Sequence, residues 1–212
     1  MQTEIIDKRT KSGERSLLLF AFFRIVRIII IWLILKTFIL FIIYSIINKD
    51  WRTNMKIGII VYSQTGNTYS VATKIKEALI KKGHSVEIDK IEAIRETKQN
   101  VNNIKISKMP DVEKYDGLIF ASFVEAFSLC PVMDTYLKQL KSLNNKKIAV
   151  YVTQFFPYPW MGGKHAIKQM KKDLILKGNA ITETGIVNWK NKNREQIIQK
   201  LVEQFTIYFN NN

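Results

Sequence analysis

A single cysteine in 212 residues, Cys130, excludes an internal disulfide and fits a reducing compartment. Histidine is almost as scarce. His84 and His165 stand far apart, without Cys or acidic partners at ligand spacing, so no metal centre is expected. Carboxylates are outnumbered, with 18 Asp/Glu against 33 Lys/Arg and a formal net charge of +15. Residues 1–54 hold nine Lys/Arg and four Asp/Glu, a balance of +5, which leaves +10 downstream. Such an excess suits nucleic acid, anionic lipid or an acidic protein. The lysines are scattered over the chain and not gathered in an arginine-rich tract, so they read as a solvated face and no nucleic-acid partner is expected. Neither G-x-G-x-x-G nor G-x-x-x-x-G-K-[ST] occurs, which removes two common phosphate loops. Internal repeats, low-complexity tracts, a Ser/His/Asp triad and paired carboxylates are likewise absent, and no catalytic residue is assigned.

What is present begins at Lys56. The apolar run Ile57–Tyr62 ends in Ser63-Gln-Thr-Gly-Asn-Thr68, and an amphipathic helical pattern starts at Tyr69. A strand, a hydroxyl- and glycine-rich turn and then a helix build an anion site. Backbone N–H groups of the turn and the positive end of the helix dipole converge, and Ser/Thr hydroxyls add donors. Gly66 lets the main chain approach a phosphate with no side chain in the way. With no lysine in the turn, a terminal monophosphate held by neutral donors is expected rather than a nucleoside triphosphate.

Val61-Tyr-Ser-Gln-Thr-Gly-Asn-Thr68, followed by Ala72 and Ile75, resembles the flavodoxin signature, in which this turn wraps the phosphate of FMN. Val61 departs from it, since an aromatic is more usual there. The resemblance covers Met55 to about residue 209. It implies an α/β fold, a doubly wound five-stranded parallel sheet of order 2-1-3-4-5, with the cofactor at the switch between strands one and three.

The periodicity agrees. Strands are expected at Ile57–Tyr62, Ser85–Ile91, Gly117–Ser122, Lys147–Thr153 and Ala180–Val187. Helices are expected at Tyr69–Lys82, Val132–Leu143 (entered through Pro131), Lys164–Lys177 and Arg194–Phe209. Glu92–Pro110 is polar and Asn-rich and reads as an irregular crossover. Alternating strands and helices mean a parallel sheet covered on both faces.

Ligands lie at the carboxyl ends of strands in such a sheet. Three of those ends converge: Ser63–Thr68, Ser122–Pro131 and Gln154–Gly163. The second contains Ser122, Phe123, Val124, Glu125, Ala126 and Phe127, and resembles the flavodoxin loop after strand three, although Phe123 and Val124 depart from its usual pattern. The third, Gln154-Phe-Phe-Pro-Tyr-Pro-Trp-Met-Gly-Gly163, offers flat faces for stacking on a flavin, with Phe155, Phe156 and Trp160 as candidates. The same aromatics could instead fill core or an interface. Gly162 and Gly163 allow backbone N–H groups near the ring edge. Cys130, before a helix start, is placed for a dipole-stabilised thiolate, yet a cysteine there is more often a small buried apolar group. His165 lies beside the glycine pair.

The N-terminal 54 residues form a hydrophobic, basic leader. Ile28–Ile47 meets the length of a transmembrane helix, with Lys36 near its middle. Its basic N-terminal flank (Lys8, Arg9, Lys11, Arg15, Arg24, Arg27) would keep the N-terminus in the cytoplasm and place the domain outside, away from cytoplasmic reductant. A signal peptide has the same defect and lacks a small-residue cleavage site. A third reading leaves residues 1–54 out of the native protein. Met55-Lys-Ile-Gly-Ile-Ile opens the first strand at once. Trp51 (TGG) followed by Arg52 as AGG or AGA spells a ribosome-binding GGAG two codons upstream.

The function expected on this resemblance is an FMN-binding electron-transfer domain, residues 55–212, in the cytoplasm and membrane-anchored only if the leader is genuine. Its partner is a redox protein, an acidic ferredoxin-like donor suiting the basic surface. One alternative is an NAD(P)H-dependent FMN oxidoreductase acting on a quinone or other small acceptor. Another is a flavin-free regulatory module on the same fold.

Overall fold

The computed structural model describes residues 24, 26–43, 54–95, 104–143, 146–179, 181 and 183–211. The chain divides into two compact units, Met1–Trp51 and Arg52–Asn212. In the first, helix α1 (Val26–Ile43) has a mean hydropathy of 2.6 and no buried residue, and by length and composition alone it could cross a bilayer. The expected span's last residues, 44–47, lie outside the described residues.

The second unit is built on β1 (Lys56–Val61), β2 (Ser85–Lys90), β5 (Gly117–Glu125), β7 (Lys147–Gln154) and β8 (Glu183–Asn188). These pair in the order β2-β1-β5-β7-β8, all parallel. This is the 2-1-3-4-5 order that the resemblance implies. Helices α2 (Asn67–Lys81), α3 (Pro131–Gln139), α4 (Gly163–Ile175) and α5 (Arg194–Asn210) connect the strands. Strand residues alternate between two cores because successive side chains point to opposite faces. Leu118, Phe120, Ile148 and Val150 pack with Met133, Leu137, Ala166 and Met170 of α3 and α4. Ile57, Ile59, Ile119 and Tyr151 pack with Ile75, Leu79, Leu201 and Phe205 of α2 and α5. The three central strands β1, β5 and β7 are covered on both sides, which explains their unbroken apolar runs.

Several expected boundaries change. The crossover after β2 is not irregular throughout: β3 (Glu92–Arg95) and β4 (Ile104–Lys108) form an antiparallel ribbon. Ala93, Ile104 and Ile106 pack against the α3/α4 core, an alternation too short to stand out from its Asn-rich flank. The segment after the third parallel strand is also not a simple loop. β5 continues to Glu125 and turns back into β6 (Ser128–Leu129), pairing Val124 with Leu129 and Glu125 with Ser128. Both turn residues, Ala126 (φ 47°) and Phe127 (φ 60°), are left-handed, as in a type I′ hairpin. The Asn-Gly or Gly that marks such turns is absent, so the hairpin is invisible to pattern. α3 stops at Gln139 rather than Leu143. α4 covers Gly163–Ile175 rather than Lys164–Lys177; the last strand runs Glu183–Asn188, and its expected start, Ala180, lies outside the described residues.

Candidate functional site

The turn after β1 is open and leaves its helix start uncapped. α2 begins at Asn67, two residues earlier than the pattern suggests, with Gly66 as its N-cap at φ 83°. No side chain caps the helix and no acidic residue lies in its first turn, so its positive end is left uncompensated by the chain. A Cβ at Gly66 would meet nothing within 4 Å, which leaves open space over the turn. The Ser63 hydroxyl is buried without a hydrogen-bond partner. Thr68 behaves differently from its neighbours. Its side chain is buried and its Oγ1 lies 2.8 Å from Thr153 Oγ1, while Tyr151 donates its phenol proton to the Thr68 carbonyl at 2.7 Å. Thr68 therefore ties the start of α2 to β7. Burial pushes the Tyr151 phenol well above its ordinary pKa, so it remains a donor.

A cleft of about 180 Å³ opens at the carboxyl end of the sheet. Its walls come from four strand ends: Gln64, Thr65 and Asn67 after β1, Phe123 and Val124 of β5, Thr153, Gln154 and Phe155 of β7, and Trp189 after β8. Pockets that enclose a whole ligand run to roughly 300–1,000 Å³, so this cleft suits a ligand held by one end with the remainder open to water. Two larger grooves, about 610 and 680 Å³, run along α5. They lie beside the amino ends of β7 and β8 and between α5 and α2, away from the strand ends where ligands bind this architecture.

The walls are held firmly. Tyr62 stacks on Phe123 with centroids 5.8 Å apart. Trp189 donates its backbone N–H to the Gln154 carbonyl at 2.7 Å, and the Arg194 guanidinium lies 4.6 Å from the Trp189 ring. Gln154 donates through Nε2 to the Phe156 and Tyr158 carbonyls, while its Oε1 is buried and unpartnered. Lys190 Nζ sits 4.9 Å over Phe155.

Of the residues expected at the site, Gln64, Thr65, Asn67, Phe123, Val124, Gln154 and Phe155 line the cleft. Ser63 and Gly66 belong to the same turn. Ser122 is fully buried with an unpartnered hydroxyl and is not part of the lining. Glu125 and Ala126 lie at the hairpin end, and Gly162 and Gly163 at the start of α4. Gly162 sits at φ 105° against Val124 and Phe127, so the two glycines serve loop packing. Phe127, Phe156 and Trp160 stand outside the lining, with Phe127 stacked on Phe156 and Trp160 on Tyr158. Trp189 and Thr153 are the wall residues that sequence reading omits. The strand-end rule reaches Trp189, because it immediately follows the fourth parallel strand to contribute.

Cys130 is fully buried, and burial pushes its thiol up to about 12, so the helix-start thiolate does not form. Among the described residues no cluster of His, Cys, Asp and Glu could hold a metal ion.

No protein-family model matches the chain, and no curated protein matches it by sequence. Solved structures do. The chain is similar to oxidised flavodoxin 2 from Bacillus cereus, with TM-score 0.52 and 21% identity, over 73% of this chain and 97% of that one. It is similar to the flavodoxin of Streptococcus pneumonia, with TM-score 0.51 and 17% identity, over 72% and 98%. It also resembles the Flv1 flavodiiron core from Synechocystis sp., with TM-score 0.52 and 18% identity, over 76% of this chain and 36% of that one. The fold of the second unit is flavodoxin-like.

Proposed function

We propose that the strand-end cleft binds FMN and that Met55–Asn212 is an electron-transfer flavoprotein domain. The observation that carries this reading is the convergence of an uncapped, acid-free helix start with an aromatic-walled cleft at the strand ends. The residues fit the group. The turn Ser63–Thr68 would hold the phosphate through backbone N–H groups and the Ser63 and Thr65 hydroxyls, and the buried Ser63 oxygen gains the partner it lacks. Phe123, Phe155 and Trp189 would wall the ring, and Gln154 Oε1 would accept a hydrogen bond from its edge. When bound, the flavin itself supplies the redox chemistry, accepting and donating electrons.

The chain's own contribution is placement and access. No titratable acid or base lines the cleft, so the walls orient a ring without moving protons. Arg194, Lys190 and the start of α2 set a positive environment that favours an anionic ligand. A single reduced, buried cysteine is consistent with a cytoplasmic domain.

The test is the visible spectrum of the purified protein, before and after adding NADH or NADPH. Yellow protein with a flavin band, unreactive to either nucleotide until a reductase is supplied, is the expected result. Steady NAD(P)H oxidation by the pure protein would replace the carrier with an oxidoreductase. A colourless protein that takes up no added FMN would overturn the flavin reading.

A further inference from the structure

Four aromatic side chains lie beside the cleft without lining it. Phe127 stacks on Phe156 with centroids 5.4 Å apart and planes at 7°, and Tyr158 stacks on Trp160 at 6.0 Å and 9°. Trp160 is 68% exposed, and Tyr158 and Phe127 each 56%. Exposed aromatics grouped in this way mark an interaction surface more often than chance exposure does. Their loop is held at three carbonyls. Asn188 Nδ2 donates to the Phe156 carbonyl at 3.0 Å, Asn191 Nδ2 to the Pro157 carbonyl at 3.2 Å, and Lys164 N–H to the Pro159 carbonyl at 2.9 Å. A loop already fixed in shape loses little freedom on binding.

The charge around the patch is predominantly positive. No Asp or Glu occurs between Asp134 and Asp173, the interval that contains the whole aromatic loop and most of α4. Lys164 and Lys168 are exposed on α4, and Lys190 and Lys192 are exposed just after β8. Among the described residues none of these four lysines forms an ion pair with a carboxylate. Of the flanking carboxylates, Glu195 is paired with cations. Glu125 faces the Cys130 thiol, and Glu195 pairs with Lys74 at 2.7 Å and Arg194 at 3.3 Å.

We propose that Phe127, Phe156, Tyr158 and Trp160, rimmed by Lys164, Lys168, Lys190 and Lys192, form a docking surface for an acidic electron-carrier protein. The redox nature of the partner rests on the electron-transfer reading above; the location of the surface does not. Aromatic residues at the centre and charge at the rim are the anatomy of a protein interface, with Trp and Tyr as its usual anchors. The lysine rim selects a carboxylate-rich partner and steers its approach. A second copy of this basic domain would be repelled. A bilayer takes up apolar side chains that penetrate the headgroup boundary, whereas these rings are packed face to face in two pairs.

The probe is an acidic 2Fe–2S ferredoxin, titrated calorimetrically into the full-length protein in detergent. Expected is a micromolar dissociation constant at about 20 mM NaCl that weakens at least about tenfold at about 300 mM, as screening predicts. Trp160→Ala and the double variant Lys164→Glu/Lys168→Glu should each weaken binding at least about tenfold. Lys81→Glu, near the far end of α2, should leave it unchanged. Thermal melts of each variant establish that it is folded. Absence of binding at low salt, or binding indifferent to Trp160→Ala, overturns the proposal. So does a blue shift of the Trp160 emission, taken as wild type minus Trp160→Phe, when the protein moves from phosphatidylcholine nanodiscs to nanodiscs with phosphatidylglycerol; that result would assign the patch to an anionic bilayer. Failure of the flavin reading shows separately, as colourless protein that still binds the ferredoxin.

Discussion

Gly162→Ala and Gly83→Ala form a matched pair that isolates how the aromatic loop is held. Both glycines have left-handed φ, 105° and 95°. Gly83 follows the end of α2, and a Cβ there would meet nothing within 4 Å. Its replacement costs only the backbone conformation, about 1–2 kcal/mol. At Gly162 a Cβ would lie 2.7 Å from Val124 Cγ1 and 2.8 Å from Phe127 Cα. The second contact is backbone and cannot rotate away, so overpacking adds about 1–3 kcal/mol. Gly162→Ala should therefore cost about 2–5 kcal/mol in all, against about 1–2 for Gly83→Ala. Urea unfolding reads the difference. With a slope of about 1–3 kcal/mol per molar, the two midpoints should separate by roughly 1 M, Gly162→Ala being lower. Because Phe155 begins the loop that the clash displaces, FMN should also dissociate at least about tenfold more readily from Gly162→Ala, a loss of about 1.4 kcal/mol, while Gly83→Ala leaves FMN affinity unchanged. Equal midpoints for the two variants would refute the claim that the loop is seated on the hairpin turn.

Three further outcomes are expected. Ser63→Ala removes a buried, unpartnered hydroxyl, so stability should hold or rise slightly while FMN affinity, followed by quenching of flavin fluorescence, falls roughly fivefold, the net worth of about one hydrogen bond. Thr68→Val and Thr153→Val each strand the other hydroxyl and should cost about 1–3 kcal/mol by denaturant melts, whereas the double variant should cost less than the sum of the two. Hydrogen bonds from Lys114, Tyr115 and Lys56 hold the Glu87 carboxyl at about 2, below its ordinary 4.5. A depressed carboxyl pKa stabilises the fold above the ordinary value and loses that contribution as pH falls from 4.5 toward 2, so thermal melts of Glu87→Gln should show a smaller acid-induced loss than wild type across that window.

Much of this molecule is legible from local chemistry. Ile57–Val61 and Lys147–Thr153 are apolar without interruption because both faces of a parallel strand are covered, and helices between such runs leave few topologies open. The turn after β1 is equally local: Ser63, Gly66 and the start of α2 are neighbours in the chain, and their backbone geometry follows from residue type. Other features depend on what meets in space. The hairpin at Ala126 and Phe127 has no turn signature; its left-handed residues persist with Gly162 and Phe156 packed against them. Trp189 is a wall of the cleft because β8 lies beside β7, and its backbone N–H reaches Gln154. Thr68 reads as a phosphate donor in sequence, yet its partner Thr153 stands 85 positions away and turns it into a buried tie. The division of the aromatic loop is of the same kind. Composition marks Gln154–Gly163 as unusual, but only the packing of Phe127 on Phe156 and Tyr158 on Trp160 separates the outward-facing rings from Phe155, which faces the cleft. Sequence determined the alternation of strands and helices and the open turn after β1, because those follow from short-range periodicity and backbone chemistry, while the strand order was implied by the flavodoxin resemblance. Tertiary structure decided which side chains share the cleft, because distance in space between strand ends is not written in distance along the chain.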